Sequence, residues 1–125
     1  MNILFTTPAA PQRSPFSTEE KRPPLGIGSL MALLRAAWHA VHFIDNYLKP
    51  EPFIEQGYLQ KNRIDCLGVY ANTICWQDTL RMLHAADRLR KQGRWRGKII
   101  IGGPHTSASP ETIPDCVDHI VQGEG

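Results

Sequence analysis

A chain of 125 residues, 42% hydrophobic, with fourteen Lys and Arg against twelve Asp and Glu for a formal charge of +2, can bury one core but not two. So small an excess of positive charge excludes a dedicated polyanion binder, and no nucleic-acid partner is expected. The N-terminal MNILFTTP has an apolar run of only three residues and no basic flank. This excludes a signal peptide and a membrane span and makes a cytoplasmic protein with no membrane partner the default.

In chain order, Ile3 to Phe5 is a continuous apolar run ending in Thr6-Thr7-Pro8, as expected of a strand buried on both faces. PLGIGSLMALLRAAW, from Pro24, places Leu25, Leu30, Leu33, Leu34 and Ala37 at helical spacing behind a proline start, and predicts the first helix. AVHFID follows as a strand, PFIEQGYLQKN as a helix, and CLGVYAN as a strand with the branched and aromatic residues of a central position. From Trp76 to Gln92, Trp76, Leu80, Leu83, Ala86 and Leu89 share one helix face, with Asp78 in the first turn and Arg90-Lys91 before Gly93. Lys98 to Ile101 is an interior strand, Pro110 to Asp115 a short helical turn, and His119 to Val121 a short last strand.

Five strands alternating with helices predict one α/β domain over residues 1–125, an open parallel sheet with right-handed crossovers and helices on both faces. The expected arrangement is flavodoxin-like, or Rossmann-like, with strand order 2-1-3-4-5. The half-polar second strand and the short fifth then lie at the edges, and the apolar first and fourth lie inside.

Open sheets of this kind bind ligands beyond the carboxyl ends of their strands. Here those ends are Thr6-Thr7-Pro8, Ala71-Asn72-Thr73, Gly102-Gly103-Pro104-His105 and Gly123-Glu124-Gly125. Two glycine pairs at neighbouring strand ends point to backbone approaching a large flat or extended ligand; the plainer alternative is that each pair makes a tight turn. His105 could contact a ligand, ligate a metal or cap the next turn. The stretch from Pro8 to Lys21 leaves the same edge, and five of the ten prolines fall between Pro8 and Pro24. A lid and a disordered segment are both consistent with such a loop.

RLRKQGRWRGK, residues 88 to 98, carries six basic residues and Trp95. It lies on the rim opposite the ligand edge, where cations complement a helix C-terminus, and reads as solvated surface. Cys75-Trp76 follow the third strand, with Trp76 expected mainly in the core. Cys66, Cys75 and Cys116 lack the spacing of a zinc site or a disulfide framework and read as reduced thiols. His39, His42, His84 and His119 have no metal-ligand spacing, and no acid-base pair or nucleophile constellation stands out.

PPLGIGSLMALLRAA followed by VHFID, IDCLGVYANT, IIIGGPHTSASPE and VDHIVQGEG together closely resemble the N-terminal cobalamin-binding domain of cobalamin-dependent radical S-adenosylmethionine (radical SAM) enzymes. The resemblance covers nearly the whole chain. It implies a flavodoxin-like sheet holding the corrin at its carboxyl edge. The implied cofactor-binding residues are Thr6, Thr7, Pro8, Pro24, Leu25, Gly26, Asn72, Thr73, Gly102, Gly103, Pro104, His105, Gly123, Glu124 and Gly125.

In that family a barrel with a 4Fe-4S cluster and S-adenosylmethionine follows the GEG motif. The three cysteines here do not form its Cys-x3-Cys-x2-Cys pattern, so this chain is expected to be a domain whose barrel acts in cis or in trans. Methyl transfer from methylcobalamin is the implied reaction class. The Asp-x-His-x-x-Gly motif that supplies a lower axial histidine in other cobalamin domains is absent, which implies a base-off cofactor without a histidine ligand. Trp38 stands where these sequences usually carry the glycine that ends the first helix. Two alternatives of another class remain, a flavodoxin-like flavin module and a ligand-free interaction domain. A phospho-receiver is opposed by Tyr70-Ala71-Asn72, which holds no aspartate at the third strand end.

Overall fold

The computed structural model describes residues 1–9, 25–46 and 51–121. Strands β1 (Asn2–Thr7), β2 (Ala40–Asp45), β3 (Cys66–Tyr70), β4 (Lys98–Gly102) and β5 (His119–Ile120) alternate with helices α1 (Leu25–Ala36), α2 (Tyr58–Lys61), α3 (Trp76–Lys91) and α4 (Pro104–Ala108). A 3-10 turn at Pro110–Thr112 precedes β5. All strand pairs are parallel and the order is β2-β1-β3-β4-β5, so the half-polar and the shortest strands are the edges, as expected.

Register decides which side chains meet. Leu4, Leu67 and Ile99 stand side by side, as do Thr6, Val69 and Ile101, and all six are essentially sealed from solvent. Each of the five aliphatic residues among them, on the three interior strands, contributes roughly 1.5–3 kcal/mol by burial. Against this row pack Phe53, Ile54, Leu59, Met82, Leu83, Ala86 and Trp95. The crossover from β1 to β2 runs one way along the sheet and the later crossovers run the other. With right-handed connections, α1 therefore lies on one face and the remaining helices on the other, but Leu30 and Leu33, expected on its packed face, are exposed.

Four sequence expectations are adjusted. PFIEQGYLQKN yields only the single turn of α2, because Gly57 sits at φ 86°, a left-handed position that interrupts a helix. The buried stripe of α3 runs through Thr79, Met82, Leu83, Ala85 and Ala86, while Trp76, Leu80 and Leu89 flank it half-buried. The short helix α4 was not foreseen. Trp95 is no part of the basic surface around it: its ring is buried and its Nε1 donates to the Ile64 carbonyl at 2.7 Å. The cations Arg88, Lys91, Arg94, Arg96 and Lys98 are exposed, in keeping with solvated surface.

α1 ends in a Schellman motif without its glycine. The Trp38 amide donates to the Arg35 carbonyl at 3.0 Å and the His39 amide to the Leu34 carbonyl at 3.1 Å. Trp38 holds the left-handed position at φ 68° with its side chain 95% exposed. Left-handed backbone costs a non-glycine residue roughly 1–2 kcal/mol, and this indole recovers little by burial. Trp38→Gly is expected to raise stability by about 0.5–1 kcal/mol once glycine's greater unfolded-state freedom is subtracted, read as an upward shift of the urea midpoint.

Candidate functional site at the carboxyl edge of the sheet

The carboxyl ends of β1, β3 and β4 lie along one edge, and their loops are fixed by local hydrogen bonds. At the end of β1, Thr6 and Thr7 are fully buried and their hydroxyls turn inward toward the neighbouring strand. Thr6 Oγ1 donates to the Ile44 carbonyl at 2.9 Å; Thr7 Oγ1 donates to Asp45 at 3.0 Å and accepts the Asn46 amide at 3.1 Å. Pro8 is buried beside them. The next amide, Ala9, donates to Asp78 Oδ2 at 2.7 Å, so the first turn of α3 anchors the exit of β1.

At the end of β3, Asn72 Oδ1 accepts the Cys75 amide at 2.8 Å and closes the turn that starts α3. Thr73 and Ile74 are left exposed on the edge. The β4 loop is tied directly to this turn. The Ala71 amide donates to the Gly102 carbonyl at 2.7 Å and the His105 amide donates to the Ala71 carbonyl at 3.1 Å. Between them Gly103 adopts φ 105°, ψ 177°. A Cβ at this position would lie 2.5 Å from the Ala71 carbonyl oxygen and 2.9 Å from its nitrogen. The close approach that demands glycine here is therefore that of the protein's own β3 turn. A Cβ on Gly102 would meet only Val121, at 3.6 Å.

The His105 ring is 4% exposed and lies at the centre of this region. It stacks on the indole of Trp76 at 3.9 Å between centroids and 21° between planes. Nδ1 is 3.1 Å from Thr73 Oγ1, and Nε2 is 2.7 Å from Thr112 Oγ1. Burial lowers its pKa below the ordinary histidine value, with Glu111 opposing. Thr106, fully buried, places its hydroxyl 2.7 Å from the Gly103 carbonyl and 3.2 Å from that of Val121, joining α4 to the end of β5.

Of the fifteen residues implied by the sequence, Asn72, Thr73, Gly102, Gly103, Pro104 and His105 are thus gathered at two adjoining loops. Thr6, Thr7 and Pro8 lie farther along the same edge. Leu25 and Gly26 open α1. Pro24, Gly123, Glu124 and Gly125, with the greater part of the proline-rich loop from Pro8 to Lys21, fall outside the described residues. Sequence reading missed Thr112, Thr106 and Asp78, whose contacts depend on the tertiary fold, and Ile74, an exposed apolar side chain next to Thr73.

The three cysteines form no disulfide. Burial, with Asp118 and Asp65, pushes the Cys66 thiol up to about 11, and burial likewise raises Cys116. Both are protonated at neutral pH and poor nucleophiles. Among the described residues, no three His, Cys, Asp or Glu side chains form a group able to hold a metal ion, and no helix is long and apolar enough to cross a membrane.

Among the described residues the edge therefore offers a hydroxyl and small apolar surfaces, with no cage for a free ion. A family model described as the B12 binding domain matches residues 17–125. The chain belongs to the B12-binding domain family. Solved structures agree on the fold of this B12-binding domain. The cobalamin-dependent S-adenosylmethionine radical enzyme OxsB, with aqua-cobalamin bound, superposes with a TM-score of 0.71 at 19% identity over 88% of this chain. The same enzyme with aqua-cobalamin and S-adenosylmethionine bound gives the same values. This chain spans 15% of the length of each. No curated protein matches it. It is a cobalamin-binding domain resembling that of a cobalamin-dependent radical SAM enzyme, on the flavodoxin-like fold expected from the sequence.

A corrin is flat, rimmed with amide side chains, and brings its own equatorial ligands for cobalt. The residues present fit such a group. Exposed Thr73 suits its amides, exposed Ile74 and Pro104 suit its apolar faces, and the macrocycle needs no protein metal cage.

Proposed function

We propose that this domain holds methylcobalamin base-off, without a histidine ligand, for a methyl transfer completed by a radical SAM barrel in cis or in trans. The 4Fe-4S cluster and S-adenosylmethionine belong to that barrel, and the setting is the cytoplasm. When bound, the cobalamin supplies the carrier of the methyl group. The chain's own residues bind and orient it. Thr73, Asn72 and Gly102 to His105 form the floor beside Thr6 to Pro8, and the family resemblance adds Pro24 to Gly26 and Gly123 to Gly125 to the cofactor-binding set.

One observation carries the reading of the lower face: the chain has five histidines, and His105 alone stands at the carboxyl edge, with both ring nitrogens already engaged by threonines. His42 packs against Tyr58 within the sheet layer, and His39 contacts the N-terminal amine at the opposite edge. His84 lies along α3, and His119 begins β5. A histidine ligand to cobalt from this chain would require breaking the His105 contacts.

The test is to mix the purified chain with hydroxocobalamin, desalt it, and record absorption and the electron paramagnetic resonance of the reduced cob(II)alamin form. Retained corrin without nitrogen superhyperfine splitting is expected. Splitting from one nitrogen would overturn the ligand-free lower face. Loss of all corrin from a folded protein would overturn the binding role and leave a flavin module or a ligand-free interaction domain as the reading.

A further inference from the structure

The His105 ring is fully committed inside the protein, and the direction of each hydrogen bond can be worked out. Thr112 Oγ1 lies 2.7 Å from the Ser109 carbonyl, which can only accept, so the Thr112 hydroxyl proton points there. At its contact with Nε2 the same oxygen must accept, so Nε2 carries the ring proton. Nδ1 is then bare and accepts the hydroxyl proton of Thr73. The ring is thus a neutral Nε2–H tautomer held in a one-way chain from Thr73 through His105 and Thr112 to Ser109. Trp76 covers one face of the ring.

This chain spans both halves of the site. Thr73 and Trp76 belong to the turn after β3 and the start of α3, while Thr112 and Ser109 belong to the turn after α4. The backbone bonds of Ala71 to Gly102 and of His105 to Ala71 join the same halves from beneath. We propose that His105 is a positioning residue, a tautomer-locked clasp that fixes the loops after β3 and β4 in one geometry and makes uptake of the corrin sensitive to protons. For its ligand the inference rests on the cobalamin reading above.

Protonation would place an N–H where Thr73 now donates, force that hydroxyl to turn, and leave a positive charge in a buried ring. The groups facing the ring are Thr73 and Trp76 on the α3 side, and Thr112 with Glu111 on the α4 side. Glu111 is the only charged group among them; it favours the cation, and burial outweighs it. The folded pKa lies below the ordinary value of about 6.5, so the closed clasp is fully stable above that pH. Its stability is lost as pH falls through the lowered folded value.

The test uses the intact chain and hydroxocobalamin. Affinity is measured by absorption titration from pH 7.5 to pH 5 for the native protein, His105→Gln and His105→Phe. Nitrogen-15 correlation spectra of the ring are recorded alongside. Glutamine retains an acceptor and a donor, whereas phenylalanine keeps the stack and loses both hydrogen bonds. The native protein should show the Nε2–H pattern and lose affinity on acidification, by more than His105→Gln does over the same range. His105→Gln should bind with little pH dependence, and His105→Phe should bind at least about tenfold more weakly at pH 7.5 while remaining folded.

An Nδ1–H pattern, or native-like binding by His105→Phe, would overturn the clasp. So would equal pH dependence in the native protein and His105→Gln. If no variant retains corrin, the cobalamin reading fails, and the clasp is then judged on the ring pattern and on amide exchange at Asn72 and Thr73. Faster exchange in His105→Phe than in the native chain supports it, and equal exchange overturns it.

Discussion

Gly103→Ala is expected to destabilise the domain by about 3–5 kcal/mol and to abolish retention of hydroxocobalamin. Two costs combine. Backbone at φ 105°, ψ 177° falls in a region open essentially only to glycine, which alone costs another residue roughly 1–3 kcal/mol. The new methyl group would also lie 2.5 Å from the Ala71 carbonyl oxygen and 3.1 Å from the Tyr70 ring. Neither obstacle is a free side-chain end. The Ala71 carbonyl is held by the His105 amide, and the Ala71 amide by the Gly102 carbonyl. Relief would require parting the two loops that form the site floor. Gly102→Ala is the matched control, since its Cβ would meet Val121 at an ordinary 3.6 Å. It should shift the urea midpoint by well under half as much and leave corrin retention intact. Equal midpoints for the two variants would show that the turn can relax and would refute the rigid floor.

This contrast shows what the sequence could and could not disclose. The alternation of branched apolar runs with 3.6-residue periodicity defined the sheet, because burial on both faces imposes that composition wherever a strand is central. Edge positions followed from the polar character of AVHFID and the brevity of His119–Ile120. The glycine pair was legible as a place of close approach, but sequence does not reveal which atoms approach. At Gly103 they are the backbone of Ala71, 32 residues earlier in the chain. His105 illustrates the same limit. Its three possible roles were equivalent by spacing, and the choice rests on Thr73 and Thr112, which only the β4-α4 turn brings to opposite sides of one ring. Trp95 was misleading because its neighbours are basic. The buried indole obeys the core, whereas the flanking arginines and lysines obey the solvent. The helical pattern in PFIEQGYLQKN failed for a local reason, the left-handed Gly57 in its middle.

Arg90→Met is expected to cost about 1–3 kcal/mol and to release β5, the strand that leads toward Gly123 to Gly125. That strand has only two residues, and few backbone bonds hold it to β4. Arg90 on α3 compensates: its guanidinium donates to Asp118 Oδ2 at 2.6 Å, to Asp87 at 3.2 Å and to the Cys116 carbonyl. Asp118 also accepts the Ile99 amide at 2.7 Å, so one carboxylate links α3, β4 and the entrance to β5. Burial opposes the charge on Asp118, but the Ile99 amide and Arg90 outweigh it and hold its pKa below the ordinary value. The folded value lies under the unfolded one of about 3.9, so this link contributes its full stability above that pH and loses it as pH falls through the folded value. Asp118→Asn should therefore be less stable than the native chain at pH 7, with the gap closing below about pH 4. Paired urea titrations at pH 7 and pH 3.5 test this. A gap unchanged by acid would assign the stabilisation to the hydrogen bonds and not to the charge. An amide-exchange map of Arg90→Met in which His119 to Val121 stay protected would show that β5 holds without its arginine.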